Sequence, residues 1–204
     1  MDHCFVIGVI GLSGSGKSTL AKDLYKRFDD SSAVLCGDNY YKDFTDEDVG
    51  SDGLNFDHPN RYDFELLLHD IEQLSKGRRV YTPVYDFFHH KRTETRILIR
   101  PKPVLIVEGI FLLHSAKIME TMNLSIFLDV DSSVCLDRRV MRDCKERGRD
   151  ARETRHQFLS EVVPMYQKFC YPYRESTDLV LKDRVTDADI RVIYQRYHDF
   201  KLQP

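Results

Sequence analysis

A glycine-rich stretch near the start of the chain carries the residue types that bind a phosphate chain. Residues 11–18 read GLSGSGKS, which matches the pattern G-x-x-x-x-G-K-[ST] in full. Glycines let successive backbone N–H groups curl round a phosphate, and the N-terminus of the expected following helix adds partial positive charge. Lys17 would reach the β- and γ-phosphates, and the Ser18 hydroxyl would ligate Mg²⁺. The predicted triphosphate-binding residues are Gly11, Ser13, Gly14, Ser15, Gly16, Lys17, Ser18 and Thr19.

Two carboxylates follow predicted strands at the same end of the sheet as this loop. Glu108 ends the apolar run at 103–107, as the acid of a Walker B segment does, and Asp38 follows a short strand at 33–36. Ligands of open α/β sheets bind beyond the carboxyl ends of the strands. A carboxylate there can hold Mg²⁺, directly or through water, or accept the proton of an attacking hydroxyl. Asp38 opens a long polar stretch, where an acceptor substrate would enter.

A cluster of arginines lies between two predicted helices, on either side of Gly148. Its members are Arg138, Arg139, Arg142, Arg147, Arg149, Arg152 and Arg155. We interpret residues 138–155 as a lid that closes over the triphosphate and neutralises charge in the transition state. The alternative is a solvated helix face, on which nearby acids such as Asp143 pair with the arginines. For any one arginine the solvated face is the better interpretation, whereas the group at 142–149 as a whole favours the lid.

Strands and helices alternate along the chain and would position these groups. Short apolar runs predict buried strands at 5–10, 33–36, 103–107, 125–130 and 178–181. Helical patterns occur at 17–28, 62–76, 132–146, 153–169 and 187–200. Residues 80–88 and 96–99 form a hairpin or two short extra strands. This alternation predicts an α/β fold with a doubly wound, mostly parallel sheet, in a single domain of residues 1–204.

Composition excludes several classes of protein. The chain has 204 residues, of which 42% are hydrophobic and 31% charged, so it is neither disordered nor fibrous. A formal net charge of −3 argues against a general nucleic-acid-binding surface. Five cysteines form no CxxC pair, which favours reduced thiols in the cytosol. No apolar stretch approaches the roughly 18 residues of a membrane span. We therefore expect a cytoplasmic protein with no membrane or nucleic-acid partner.

Several further motifs resemble the uridine–cytidine kinase family of P-loop kinases, a class that includes phosphoribulokinase. After GLSGSGKST they are DNYY at 38–41, NFDHP at 55–59, PVYDFFHHKR at 83–92, IVEGIF at 106–111 and RRVMRDCKERGRD at 138–150. The resemblance implies the P-loop kinase fold, with a β-hairpin insertion at about 78–100 that binds substrate and an arginine-rich lid. It also implies phosphorylation of the 5′-hydroxyl of uridine or cytidine in pyrimidine salvage, with ATP or GTP as donor and Mg²⁺. Members are commonly homo-oligomers, often tetramers.

The same resemblance assigns roles to individual residues. Asp38 matches the general base that takes the proton of the 5′-hydroxyl, and Ser18 and Glu108 match the Mg²⁺ site. Asp57 matches the carboxylate that binds the ribose 2′- and 3′-hydroxyls. The residues that match the pyrimidine pocket are Phe56, Tyr85, Phe87 and His90, with Gln157 near the base. The residues that match the arginines of the lid and ribose pocket are Arg139, Arg142, Arg147 and Arg149. One departure is Gly37, where the family usually has glutamine.

Two other functions stay open on the sequence. The first is a related kinase for another small alcohol, such as nicotinamide riboside, pantothenate or ribulose 5-phosphate. The aromatic segment at 85–90 favours a pyrimidine over these. The second is a nucleotide-binding regulator without turnover, against which the presence of Lys17, Asp38 and Glu108 argues. Nucleoside-dependent ADP release separates the three.

Overall fold

The computed structural model describes residues 4–43 and 57–202. The strands in these residues are β1 (Phe5–Gly11), β2 (Ser32–Cys36), β3 (Val80–Asp86), β4 (Lys91–Ile99), β5 (Val104–Glu108), β6 (Leu124–Asp129) and β7 (Leu179–Lys182). The α-helices are α1 (Lys17–Phe28), α2 (Phe64–Ser75), α3 (Ala116–Glu120), α4 (Ser132–Arg147), α5 (Ala151–Gln157), α6 (Val163–Phe169) and α7 (Asp187–Lys201). Strands form at all five positions that the apolar runs predict.

Five parallel strands form the main sheet in the order β2-β5-β1-β6-β7. The central strand β1 pairs with β5 on one side and with β6 on the other, and all seven of its residues are buried. A parallel sheet is covered by helices on both faces, so its inner strands are apolar throughout and do not alternate. This arrangement confirms the predicted doubly wound α/β fold.

Each face of the sheet has its own apolar core. Phe5, Ile7 and Val9 of β1 point to the face covered by α1 and α7. Val6 and Ile10 point to the opposite face, which is covered by α2, α3 and the helical segment that includes α6. Successive side chains of a strand point to opposite faces, so one strand contributes to both cores. Because β1, β2, β5 and β6 run parallel, their carboxyl ends meet at one edge of the sheet.

Two predicted helices differ from the structure. The helix predicted at 62–76 begins only at Phe64, because the Asp63 carboxylate caps it by accepting a hydrogen bond from the Leu66 N–H at 3.1 Å. The helix predicted at 153–169 is present, but it is not α-helical throughout. It divides into α5, a π-helical turn at Phe158–Val162, and α6. Pro164 lies in the first turn of α6 and has no N–H to continue the α-helical ladder, so the chain widens before it.

The remaining two strands form the hairpin that the sequence left as one of two possibilities. β3 and β4 pair antiparallel, from Val80 opposite Ile99 to Asp86 opposite Lys91. β4 begins five residues earlier than the segment predicted at 96–99. Its exposed, charged residues carry no apolar alternation that would have revealed it.

No helix in the described parts of the chain is both long and apolar enough to cross a membrane.

Candidate active site

A cleft of about 990 Å³ opens at the carboxyl-end edge of the sheet. It brings together residues that the sequence analysis took from separate motifs. Those lining it are the loop residues 13–19 together with Asp38, Asp57, Tyr85, Phe87, His90, Glu108, Arg139, Arg142, Arg147, Arg149 and Gln157. Gly11 ends β1 beneath the loop and does not line the cleft. Phe56 lies outside the described residues.

The phosphate loop fits against the first turn of α4. Gly14 has a φ of 89°, and a Cβ there would collide with the carbonyl oxygen of Cys135. Only glycine meets both conditions, because its φ can be positive and it has no Cβ. Lys17 is buried, and its Nζ donates a hydrogen bond to the Leu12 carbonyl oxygen at 3.1 Å. The loop is therefore closed on itself, with its ammonium group held at the base of the cleft.

Glu108 and Ser18 form the pair that could hold a divalent cation. The Ser18 hydroxyl donates to Glu108 Oε1 at 2.8 Å, and Glu108 is only 3% exposed. Burial raises the pKa of Glu108, the negative charge of Asp38 raises it further, and Lys17 opposes both. A hydroxyl and a carboxylate are the oxygen ligands that Mg²⁺ prefers. No group of three or more metal-ligating His, Cys, Asp or Glu side chains occurs among the described residues, so phosphate oxygens and water would complete the shell.

Asp38 lies in a 3₁₀ turn, Gly37–Tyr40, that directly follows β2. The turn is held on both sides: the buried Tyr40 hydroxyl donates to Asp70 Oδ2 at 2.7 Å, and the Asn39 side chain accepts from the Tyr85 N–H at 3.3 Å. The structure also explains the glycine at position 37. A Cβ there would collide with the hydroxyl of Tyr62, whose ring fills this space.

The polar end of the cleft is built around the amide of Gln157. Its Nε2 donates to Asp57 Oδ2 at 3.4 Å. Its Oε1 accepts from Arg149 Nη1 at 2.9 Å and from Arg139 Nη2 at 3.3 Å. Burial raises the pKa of Asp57, and the nearby charge of Arg139 opposes the shift. The result is a half-buried carboxylate beside two guanidinium groups, at the end of α5.

Aromatic side chains of the hairpin line the next part of the cleft. The ring centroids of Tyr85 and Phe87 lie 5.1 Å apart, and the ring of Tyr41 is 5.5 Å from that of Tyr85. His90 sits in the hairpin turn with a φ of 52°. Burial lowers the pKa of His90, and the charge of Arg149 lowers it further, so the imidazole is neutral near pH 7. This wall offers flat apolar surfaces and one imidazole, that of His90, which can donate or accept a hydrogen bond. Tyr41 was missed as a wall residue, although the DNYY motif contains it.

The arginine segment divides between the two interpretations. Arg138 lines the cleft beside the arginines already named, and the Arg147 guanidinium lies 4.1 Å from the centroid of the Phe87 ring. Arg155 is instead exposed and pairs with Asp137 at 3.5 Å, as on a solvated helix face. The pairing of Asp143 with the arginines was expected for a solvated helix face, but the structure shows Asp143 fully buried within the lid, which was not predicted. The only signal for it is its spacing of four residues from both Arg139 and Arg147.

A phosphate loop between a buried parallel strand and a helix, with a buried acid facing its serine, defines the P-loop kinase class. Four arginines of α4 and Arg149, in the loop between α4 and α5, line the same cleft, which is typical of enzymes that transfer the phosphoryl group. The chain belongs to the phosphoribulokinase / uridine kinase family, whose family profile matches residues 6–191. It is a phosphotransferase family that uses a nucleotide as donor.

Comparisons with individual proteins agree with this placement. The chain is 38% identical over 187 residues to a uridine kinase of Clostridium novyi (strain NT), covering 90% of this chain and 89% of the relative. It is 37% identical over 185 residues to a uridine kinase of Brevibacillus brevis, with 90% and 86% covered. The fold matches D-glycerate 3-kinase from Cryptococcus neoformans with a TM-score of 0.64 at 16% identity, covering 89% of this chain and 87% of that one.

Proposed function

We propose that this protein is a kinase that transfers the γ-phosphoryl group of ATP to the 5′-hydroxyl of uridine or cytidine, in pyrimidine salvage. The observation that carries the proposal is one shared cleft. Within it the Asp57–Gln157 pair and the Tyr85–Phe87 wall lie beside Asp38 and the phosphate loop. A carboxylate suits two vicinal hydroxyls, and an aromatic wall suits a flat base. The relatives named uridine kinase support the same acceptor.

Each group then has one task in the transfer. The 5′-oxygen attacks the γ-phosphorus, the bond from that phosphorus to the bridging oxygen breaks, and ADP leaves. Asp38 takes the proton of the 5′-hydroxyl, and Lys17 holds the β- and γ-phosphates. Ser18 and Glu108 would hold Mg²⁺, which neutralises charge on the phosphate oxygens when bound. Arg142, Arg147 and Arg149 supply positive charge where it builds up on the transferring group.

The test is an ADP-release assay over a panel of acceptors. We expect turnover with uridine and cytidine, and we predict that the larger bicyclic bases of adenosine and guanosine are rejected on size. Deoxyuridine should be poorer, because it has no 2′-hydroxyl to donate to Asp57, and a hydrogen bond to a charged group contributes about 1.5–3 kcal/mol. Asp38→Asn should lower kcat by about 10²- to 10⁴-fold while ATP still binds, since the amide cannot accept the proton. The exposed Asp30 provides the matched control, because Asp30→Asn should leave kcat unchanged.

Three outcomes would contradict the proposal. If adenosine were turned over as fast as uridine, the aromatic wall would not be a pyrimidine-selective pocket. Turnover only with nicotinamide riboside, pantothenate or ribulose 5-phosphate would assign a different acceptor to the same machinery. ATP binding without release of ADP for any acceptor would indicate a nucleotide-binding regulator.

A further inference from the structure

The carboxylate of Asp143 lies at the centre of the lid without lining the cleft. It is completely buried, with 0% exposure, in the last half of α4. Its Oδ1 lies 2.8 Å from Arg142 Nη2 and 3.4 Å from Arg147 Nη1. Its Oδ2 lies 3.5 Å from Arg139 Nε. One carboxylate therefore contacts three guanidinium groups, and each of the three lines the cleft.

Charge explains why these arginines need a buried anion. Like charges held a few ångströms apart repel each other, more strongly where burial lowers the local dielectric constant. Burial lowers the pKa of Arg147, and the charge of Arg142 lowers it further. Before a phosphate chain arrives, the charge on Asp143 offsets part of this repulsion. Three positive groups against one negative group still leave a surplus of positive charge facing the cleft.

The contact with Arg139 differs from the other two. Arg139 Nε and Asp143 Oδ2 are each without a hydrogen-bond partner among the described residues, although they face each other at ion-pair distance. Arg139 Nη1 also lies 3.9 Å from Asp57 Oδ1. Arg139 is thus shared between the carboxylate under the lid and the carboxylate at the polar end of the cleft. A small rotation of its side chain would tighten either pairing.

We propose that Asp143 is a positioning residue for phosphoryl transfer, which aims Arg139, Arg142 and Arg147 at the transferring group before ATP and acceptor are bound. Asp143 itself touches neither substrate, and its effect passes through the three guanidinium groups. Fixed charges stabilise a transition state best when they need no reorganisation during the reaction. The proposal rests on the kinase reaction proposed above and is independent of which acceptor is phosphorylated.

The first test compares two isosteric substitutions on the same helix. Asp143→Asn removes the buried charge, and Asp137→Asn removes an exposed charge that pairs only with Arg155 among the described residues. A misplacement of about 1 Å typically lowers the rate about 10²-fold, and we expect a loss in kcat of about this size for Asp143→Asn. The KM values for ATP and nucleoside should change much less. Asp137→Asn should match the wild type in all three constants.

The second test asks whether the effect passes through an arginine. If it does, Arg142→Ala combined with Asp143→Asn should lower kcat by clearly less than the product of the two separate losses. Equal kinetics for the two Asp→Asn variants would overturn the proposal. So would multiplicative losses in the double variant, or an Asp143→Asn protein that is unfolded at the assay temperature. The first two results would show that Asp143 does not act through the arginines, and the third would assign it to the stability of α4.

A binding measurement makes the test independent of the acceptor. Calorimetry would compare MgADP alone with MgADP plus fluoroaluminate, which mimics the phosphoryl group in flight. Asp143→Asn should bind MgADP as the wild type does but lose the additional affinity that fluoroaluminate gives. An undiminished gain would overturn the proposal. If the wild type shows this gain yet phosphorylates no acceptor in the panel, the proposed function fails while the role of Asp143 is still decided.

Discussion

Glu108 shows how a single residue can serve the site at the expense of stability. Its carboxylate is buried beside Asp38, and its described hydrogen-bond donors are the Ser18 hydroxyl and the weaker Cys36 thiol. Because burial raises its pKa, the native protein holds a proton on Glu108 more tightly than the unfolded chain does. Native stability therefore increases as the pH falls through the native pKa, and the ionised carboxylate lowers stability above it. A bound divalent cation would offset this loss.

We predict that Glu108→Gln raises the unfolding temperature of the ligand-free protein at neutral pH. Glutamine keeps an acceptor for Ser18 but cannot ionise. Each tenfold change in proton affinity corresponds to about 1.4 kcal/mol, or about 3–6 °C in the unfolding midpoint of a chain this long. The difference should shrink as the pH falls through the native pKa of Glu108. Thermal unfolding from pH 5 to 8 without Mg²⁺ measures it, with the exposed Glu120→Gln as control. A variant less stable than the wild type at every pH would contradict the argument.

At the scale of elements, Arg92 is one of the side chains that attach the hairpin to the turn that carries Asp38. Its Nε donates to the Tyr41 carbonyl oxygen at 2.9 Å, and its Nη2 donates to the Tyr40 carbonyl oxygen at 3.2 Å. The same Nη2 lies 3.0 Å from Asp63 Oδ2, at the start of α2. One half-buried side chain thus connects β4, the turn after β2, and α2. The distance between the aromatic wall and Asp38 depends on this connection.

Arg92→Ala should therefore impair acceptor binding more than ATP binding. The loss removes the described donor of the Tyr41 carbonyl oxygen and one of two donors to the Tyr40 carbonyl oxygen and to the Asp63 carboxylate, at about 1–3 kcal/mol. We expect KM for the acceptor to rise about tenfold or more, since 1.4 kcal/mol corresponds to a factor of ten, while the Kd for ATP is unchanged. Arg96→Ala is the matched control, because Arg96 is exposed and, among the described residues, its side chain donates to carbonyls of its own strand. Equal kinetics for the two variants would show that the hairpin is positioned by other contacts.

The elements also show what the sequence can and cannot predict. β1 and β5 were predictable because strands covered on both faces need continuous apolar runs. The rule that ligands bind beyond strand ends was enough to predict that Asp38 and Glu108 share one site. The division of the helix at 153–169 was not predicted, since its apolar spacing continues past Pro164. The burial of Asp143 was also beyond the sequence, because i, i+4 spacing shows a shared helix face but not what covers it.

At the scale of the whole molecule, the cores and the cleft have opposite effects on stability. Both sheet faces pack apolar side chains such as Ile7 and Val107 at 0% exposure. The cleft instead holds charged groups, among them the buried Glu108 and the half-buried Asp57 and Arg147, whose pKa values partial or full burial shifts toward the neutral form. A ligand with complementary charge should relieve this imbalance. The stability of the whole chain is therefore coupled to occupancy of one site.

ATP should accordingly raise the unfolding midpoint of the whole chain. At a ligand concentration 100 times Kd, binding to the native state alone stabilises by about 2.7 kcal/mol. For a chain of this length that corresponds to a rise of about 5–10 °C. Differential scanning fluorimetry with Mg²⁺ and increasing ATP measures it. Lys17→Met should show a much smaller rise at the same ATP concentration, whereas Lys26→Met, on the exposed side of α1, should match the wild type. Equal rises in the two variants would place the nucleotide elsewhere.

Because Gly14 is in close contact with Cys135, a movement of the phosphate loop would be transmitted to the first turn of α4. Its first turn rests on the phosphate loop, and Arg147 lies twelve residues further along, or about 18 Å at 1.5 Å per residue. A rotation of α4 by about 5° about the Gly14–Cys135 contact would move Arg147 by about 1.5 Å, because displacement grows with distance along the helix. A displacement of this size would impair phosphoryl transfer, because a misplacement of about 1 Å can already lower the rate about 10²-fold. Phosphate binding in the loop would therefore change the position of the α4 arginines relative to the transferring group. A movement of only a fraction of an ångström at the Gly14–Cys135 contact would be enough.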